Sequence, residues 1–314
     1  DRSGNEYTVI TFNYNRCFNF LQNRGFGRYR KIDGSIALVH LEAPTVKMVE
    51  PIDIRDFVTD FTKAVASERV LNMLYKGGPQ YLGPDKLTNI DYIFPNFKIP
   101  GREKQVFYFN ENCWEITADG IVEIDYTKIQ HHIWLQQKKP FSVRKTEPLI
   151  NVARCPETGK FSYTVTETGK KCHFLQFLIN ASNFTWRKQK LIDEQLAQTG
   201  KTDLVITEDE SYCNIEHLIS KLCATGYMLM EGKDRSVARA VVAMDGKSSE
   251  VGASNGRSGK SILGENFKQL VPSVYINGKN PEITRDQFLW TGLVEGIRVY
   301  FLDDVRPNFD FEFL

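Results

Sequence analysis

The hydrophobic spacing changes character several times along this chain. Phe18, Phe20 and Leu21 fall within 17–22 and predict a short helix stopped by Gly25. Alternating stretches at 27–32 and 35–41 flank Asp33-Gly34, the signal of a hairpin. Pro51 and Asp53 open a helical stretch in which Ile54, Phe57, Val58, Phe61 and Val65 share a face. A second helix is expected over 67–75, ending at Gly77-Gly78. From Gln105 the period becomes two. Segments 106–109, 114–117 and 121–124 are separated by turn residues, including Asp119-Gly120, and predict a β-meander. After Pro148 the pattern is mainly helical, at 174–179, 186–196 and 211–230. In the last of these Ile215, Leu218, Ile219, Leu222 and Cys223 line one face.

A different texture begins near residue 236. The unbroken run Ala240-Val241-Val242-Ala243-Met244 reads as a strand buried on both faces. A Gly- and Ser-rich loop follows, then a helix over 261–270 and a second apolar strand over 299–302 that ends in Asp303-Asp304. Strand, loop, helix and strand in that order predict a parallel α/β layer.

Composition narrows the class without naming a function. The chain has 314 residues, enough for about two domains with sizeable cores. Its 41% hydrophobic and 25% charged residues are ordinary for a globular protein and exclude collagen, low-complexity disorder and a disulfide miniprotein. With 40 Lys and Arg against 39 Asp and Glu, the formal charge is +1, so contact with nucleic acid requires a local patch. Clean apolar runs reach about five residues, far short of a membrane span. Six scattered cysteines contain no CxxC pair, which argues against zinc ribbons and for buried thiols in a reducing compartment. The sequons at 180–182 and 183–185 are read as unmodified, since nothing else marks the chain as secreted.

The candidate chemistry lies in Ser254-Asn255-Gly256-Arg257-Ser258-Gly259-Lys260-Ser261. Against GxxxxGK[ST] the closing Gly-Lys-Ser matches, and Ser254 stands in the place of the first Gly. Glycines let backbone N–H groups curl around phosphate oxygens, and a following helix adds the partial positive charge of its N-terminus. Lys260 is expected to reach the β- and γ-phosphates and Ser261 to ligate Mg²⁺. Another Gly-Lys-Ser, at 246–248, follows Met244 too closely to form such a loop and precedes no helical pattern. Asp303-Asp304, 43 residues beyond Lys260, supplies the paired acids the site needs. One carboxylate serves Mg²⁺ and the other orients the attacking water.

Taken with 226–229, 240–245 and the tract 299–311, these motifs resemble the ATPase of phage and plasmid primase-helicases, superfamily 3 helicases related to the poxvirus primase-helicase. Residues 106–134 resemble the region preceding that ATPase, so the likeness spans about two thirds of the chain. The resemblance implies an ATP-driven, usually hexameric ring acting on single-stranded DNA at a replication fork. The host would be a bacterium, with the protein in its cytoplasm, encoded by a phage or mobile element. It maps Lys260 and Ser261 onto the phosphate-loop Lys and Ser, Asp303 onto the Mg²⁺-associated acid, and Asp304 onto the water-orienting acid. The cofactors implied are ATP and Mg²⁺. The family's later motifs lie beyond a second acidic motif, so the chain is expected to be a fragment of a longer motor. The fold class expected is therefore α/β in three parts: a mixed α+β region with a β-meander at 1–145, a mainly helical connector at 146–235, and a partial P-loop NTPase with a parallel sheet at 236–314.

Rival readings stay open. A nucleotide-binding or DNA-docking module without turnover would use the same loop. A primase site would need clustered acids, which the spread of Asp33, Asp53 and Asp56 does not supply. His131-His132, Cys172-His173 and the basic stretch 186–190 are read as a half-buried pair, a helix start and a solvated helix face.

Overall fold

The structure, a computed structural model, describes residues 9–98, 101–237, 239–244, 259–280, 283–286, 288–305 and 309. Its elements begin with α1 (Tyr14–Asn23), β1 (Phe26–Arg30), β2 (Ile36–Glu42), β3 (Thr45–Val49), α2 (Pro51–Val65), α3 (Glu68–Tyr81) and α4 (Pro84–Leu87). Next come β4 (Lys104–Tyr108), β5 (Cys113–Thr117), β6 (Gly120–Ile124) and β7 (Ile133–Trp134). A hairpin of β8 (Ile150–Arg154) and β9 (Phe161–Val165) leads to α5 (Glu167–Lys170), α6 (His173–Ser182), α7 (Trp186–Thr199) and α8 (Glu208–Leu229). Then follow α9 (Lys260–Leu270), β10 (Ser273–Asn277) and β11 (Val299–Asp303). The fold is mixed α/β, with small sheets that are mostly antiparallel. The meander predicted from period-two spacing forms a three-stranded sheet in the order β4-β5-β6.

The chain divides into two compact units. The first comprises Asp1–Ile99, Tyr108–Cys113 and Glu123–Pro140. Its sheet runs β1-β2-β3-β7, and the hairpin turn falls at Asp33-Gly34 as the pattern predicts. Alternation gives each face its own core. Phe26 and Val49 pack with Leu21 of α1, Ile54 and Val58 of α2, and Leu74 of α3. Val39 and Val46 face the other way, onto Trp134, whose ring stacks on Phe97 at 4.6 Å. At the start of α2, Pro51 occupies the first turn and the Asp53 carboxylate accepts from the Glu50 backbone N–H at 2.8 Å, closing one free donor.

One expected boundary fails in an instructive way. α3 does not stop at Gly77-Gly78 but continues through them to Tyr81. A Cβ on Gly77 would sit 2.4 Å from the Tyr81 ring, so the glycine leaves room for that ring to fold back along its own helix. Tyr81 in turn stacks on Phe12 at 4.6 Å, and this packing outweighs the cost of glycine and Pro79 within the last turns. The mainly helical stretch after Pro148 does contain the expected helices α6, α7 and α8, preceded by the unpredicted β8–β9 hairpin.

The second unit comprises Pro100–Phe107, Trp114–Val122 and Phe141–Leu314. α8 starts at a reciprocal cap: the Thr207 hydroxyl accepts from the Glu210 N–H at 3.2 Å, and the Glu210 carboxylate accepts from the Thr207 N–H at 2.9 Å. α6 packs on α8, and Lys221 of α8 donates to the Ala181 carbonyl at 2.6 Å, capping the last turn of α6. Beyond them β10 and β11 pair in parallel, Ser273 opposite Val299 through Asn277 opposite Asp303, with α9 packed on both strands. Ala240–Met244 is not the buried strand its composition predicts. It makes no ladder among the described residues, and Val242 and Met244 are 62% and 79% exposed.

One buried ion pair joins α8 to this layer. Arg298, whose side chain is 6% exposed, meets the Glu231 carboxylate at 2.7 Å, just past α8 and just before β11. Removing one partner of a buried pair leaves the other charge without compensation. Arg298→Ala is therefore expected to destabilise the second unit by about 3 kcal/mol, at the low end for a buried pair because Glu231 keeps some hydration. Chemical denaturation of wild type and variant measures this.

Candidate functional site

The site forms where α9 begins and β11 ends. Gly259 caps α9 with φ +85°, a left-handed conformation that glycine adopts without strain. A Cβ there would also lie 2.6 Å from the Phe177 ring, so both backbone and packing require the missing side chain. Lys260 is the first residue of the helix and is half-buried, and Ser261 follows it. Farther along α9, a Cβ on Gly264 would come within 2.3 Å of the Phe301 ring, so that glycine lets the helix lie directly against β11.

This contact brings together residues 42 positions apart in the chain. The Ser261 hydroxyl lies 2.9 Å from both carboxylate oxygens of Asp303. Tyr275, on the adjacent strand β10, donates its phenol to the same carboxylate at 2.6 Å. Asp303 thus accepts from two neutral hydroxyls and keeps its negative charge uncompensated by them. The hydrogen bond to Asp303, then partial desolvation, then the negative charges of Asp303 and Asp304 push the Tyr275 phenol from its ordinary 10.0 up to about 12. Asp304 behaves differently. Its backbone turns the chain at φ +53°, and its carboxylate pairs with Lys279 at 2.8 Å. The hydrogen bond and charge of Asp304 hold the Lys279 ammonium above its usual range.

Of the residues singled out in the sequence, Gly259, Lys260, Ser261, Asp303 and Asp304 fall within the described residues. Ser261 and Asp303 are in direct contact. Ser254, Asn255, Gly256, Arg257 and Ser258 lie outside the described residues, as does the competing tripeptide at 246–248. Sequence reasoning missed Tyr275 and Lys279. The alternating run 273–277, bounded by Pro272 and Asn277-Gly278, carried a strand signal that locates Tyr275. Nothing local distinguishes Lys279 from the other lysines.

The other candidates have structural partners. His131 shares a hydrogen bond with the Tyr108 hydroxyl at 2.9 Å, and His132 Nδ1 accepts from the Asn96 backbone at 2.9 Å. In the basic stretch, Lys188 pairs with Glu210 at 2.8 Å and Arg187 lies over the Trp186 ring. Among the described residues no three His, Cys, Asp or Glu side chains converge to hold a metal ion. No described helix is long and apolar enough to cross a membrane.

Comparison with protein-family models, with curated proteins and with solved structures finds no match for this chain.

The Tyr275 bond makes a pH-dependent contribution. Because the folded protein raises the phenol pKa, the stabilisation is complete below about pH 10 and is lost as pH rises through about 12. Tyr126 and Tyr300 are also raised, by burial, so ultraviolet difference titration is expected to show several tyrosines ionising late in wild type and Asp303→Asn to return one of them toward the ordinary range.

Proposed function

We propose that this chain carries a nucleoside-triphosphate site, with Gly259-Lys260-Ser261 on the phosphates and Asp303-Asp304 at the metal and the attacking water. The contact of Ser261 with both Asp303 oxygens supports this reading above all. In phosphate-loop NTPases a Ser or Thr at the start of the helix and an acid at a strand end hold Mg²⁺ between them. The 2.9 Å separation of Ser261 at a helix start from Asp303 at the end of a parallel strand supports that arrangement. The donor set also suits Mg²⁺, which arrives with nucleotide, takes one or two carboxylates, and draws its remaining ligands from phosphate and water.

In this reading Lys260 and the N-terminal amides of α9 bind and orient the phosphate oxygens. Ser261 and Asp303 hold Mg²⁺, which when bound neutralises charge on the phosphates. Asp304 orients a water for in-line attack on the γ-phosphate. The sequence resemblance extends the proposal to an ATP-driven motor of the superfamily 3 primase-helicase kind. Such a motor would work as a hexameric ring on single-stranded DNA during phage or mobile-element replication in the host cytoplasm.

The Lys279–Asp304 pair favours a second reading, a nucleotide-binding module without turnover, because the water-orienting acid is engaged. Both partners are largely exposed, however, and solvent screens such pairs strongly, so a water can take the place of Lys279 at little cost.

Two substitutions separate the possibilities. Removing one member of a close charge pair costs about 2–5 kcal/mol, so Lys260→Ala is expected to weaken MgATP binding roughly 30- to 4,000-fold by calorimetry. Equal affinity in both proteins would sink the phosphate assignment. Asp304→Asn is expected to keep MgATP affinity and lose phosphate release in a steady-state assay. A chain that binds MgATP but releases no phosphate before any substitution is the module of the second reading.

A further inference from the structure

Beside Lys260 the second unit holds a cleft of about 240 Å³, walled by α6, α8 and residues 241–244 and reaching the start of α9. Phe177, Phe184, His217, Lys221 and Val242 line it, and Lys260 stands on the same wall as Gly259. The volume is below the range of about 300–1,000 Å³ common for drug-sized ligands and suits one small ring system. The Phe184 and His217 rings meet edge to face, with centroids 4.5 Å apart, so the wall is aromatic. His217 Nδ1 is buried without a hydrogen-bond partner. That nitrogen is closed off from the cleft, so an incoming ring meets the remainder of the imidazole. Burial, with a smaller effect of Lys221, lowers the His217 pKa, so the imidazole is neutral near pH 7 and offers one donor and one acceptor.

Charge distribution sets the orientation of a ligand. Lys221 lines the cleft, but its ammonium is tied to the Ala181 carbonyl at 2.6 Å and the Ser182 hydroxyl at 3.2 Å, which fixes the end of α6. Lys260 stands at the N-terminus of α9, where anions are favoured. A ligand that matches the cleft therefore has a flat, neutral ring with a polar edge at one end and an anionic group at the other. An aliphatic chain would forgo the stacking and edge contacts that the Phe184–His217 wall offers a flat ring. We infer that the cleft between α6 and α8 binds the base of the nucleotide whose phosphates meet Lys260. This rests on the proposed nucleotide reading, and it assigns Phe184 and His217 as the residues that recognise the base.

Inorganic tripolyphosphate, which has the phosphates and no base, separates this inference from the reading beneath it. Calorimetry on the whole chain compares MgATP with magnesium tripolyphosphate for wild type, Phe184→Leu, His217→Leu and His217→Gln. Stacking of a base on an aromatic side chain corresponds to roughly 5- to 150-fold in affinity. Wild type is expected to prefer MgATP about tenfold or more, and Phe184→Leu and His217→Leu to lose about that preference while tripolyphosphate changes less than about twofold. His217→Gln, which keeps a donor and an acceptor, is expected to retain more MgATP affinity than His217→Leu. Phe184 is half-exposed, so Phe184→Leu carries the test should the histidine variants fail to fold. Equal affinity of wild type for the two ligands, or variants that leave MgATP affinity unchanged or weaken both ligands alike, would overturn the base cleft while leaving the phosphate site standing. Failure of wild type to bind either ligand would overturn both.

Discussion

The close approach of α9 to β11 governs the geometry of the candidate site. Gly264 is buried, and the Phe301 ring occupies the space its side chain would fill. Ser261 lies three residues back along the helix, about 4.5 Å nearer its N-terminus. Asp303 lies two residues on along the strand, about 6.6 Å nearer its C-terminal end. The two steps lead to the same edge, and there the hydroxyl and the carboxylate meet. A larger residue at 264 would lift the helix from the sheet and separate them.

Neighbours then give the adjacent acids different characters. Asp303 receives hydroxyl donors from Ser261 and Tyr275, which hold its oxygens in place without cancelling their charge. Asp304 faces an ammonium, in a pair open to water. A carboxylate positioned by neutral donors is suited to a divalent cation, and one in an exposed exchangeable pair is suited to a transient partner such as water. The frame behind them is anchored by Arg298, whose buried pair with Glu231 connects the start of β11 to the end of α8. The cleft beside Lys260 uses α8 as well, so one helix supports both parts of the site.

Much of the fold was legible because local signals and tertiary packing agreed. The Asp33-Gly34 turn, the Pro51 start of α2, the meander and the four helices at α6, α7, α8 and α9 all combine periodic apolar residues with clear boundaries. Where the two disagreed, packing prevailed. Gly77, Gly78 and Pro79 look like a stop in the sequence, yet α3 runs through them because Tyr81 folds over Gly77 and stacks on Phe12. Strands β3, β8, β9 and β10 went unread, whereas β4, β5 and β6, equally short, were legible because three such segments follow one another with turn residues between them. The apolar run 240–244 failed in the opposite sense. Composition marks it as buried, but burial needs neighbouring strands, and among the described residues none pairs with it.

The sequence by itself determined the residue types of the candidate chemistry: a Gly-Lys-Ser tripeptide before a helix and paired acids after an apolar strand. It also determined the balance of charge and most helix boundaries, since these depend on residues close along the chain. Only the tertiary structure decided that Ser261 touches Asp303, that Tyr275 joins them and that Lys279 engages Asp304. It also decided that a cleft walled by Phe184 and His217 adjoins Lys260. The reason is physical. Hydrogen bonds between residues far apart in the chain depend on how closely a helix can approach a sheet, and that distance is set by side-chain volume at the contact, here Gly264 against Phe301.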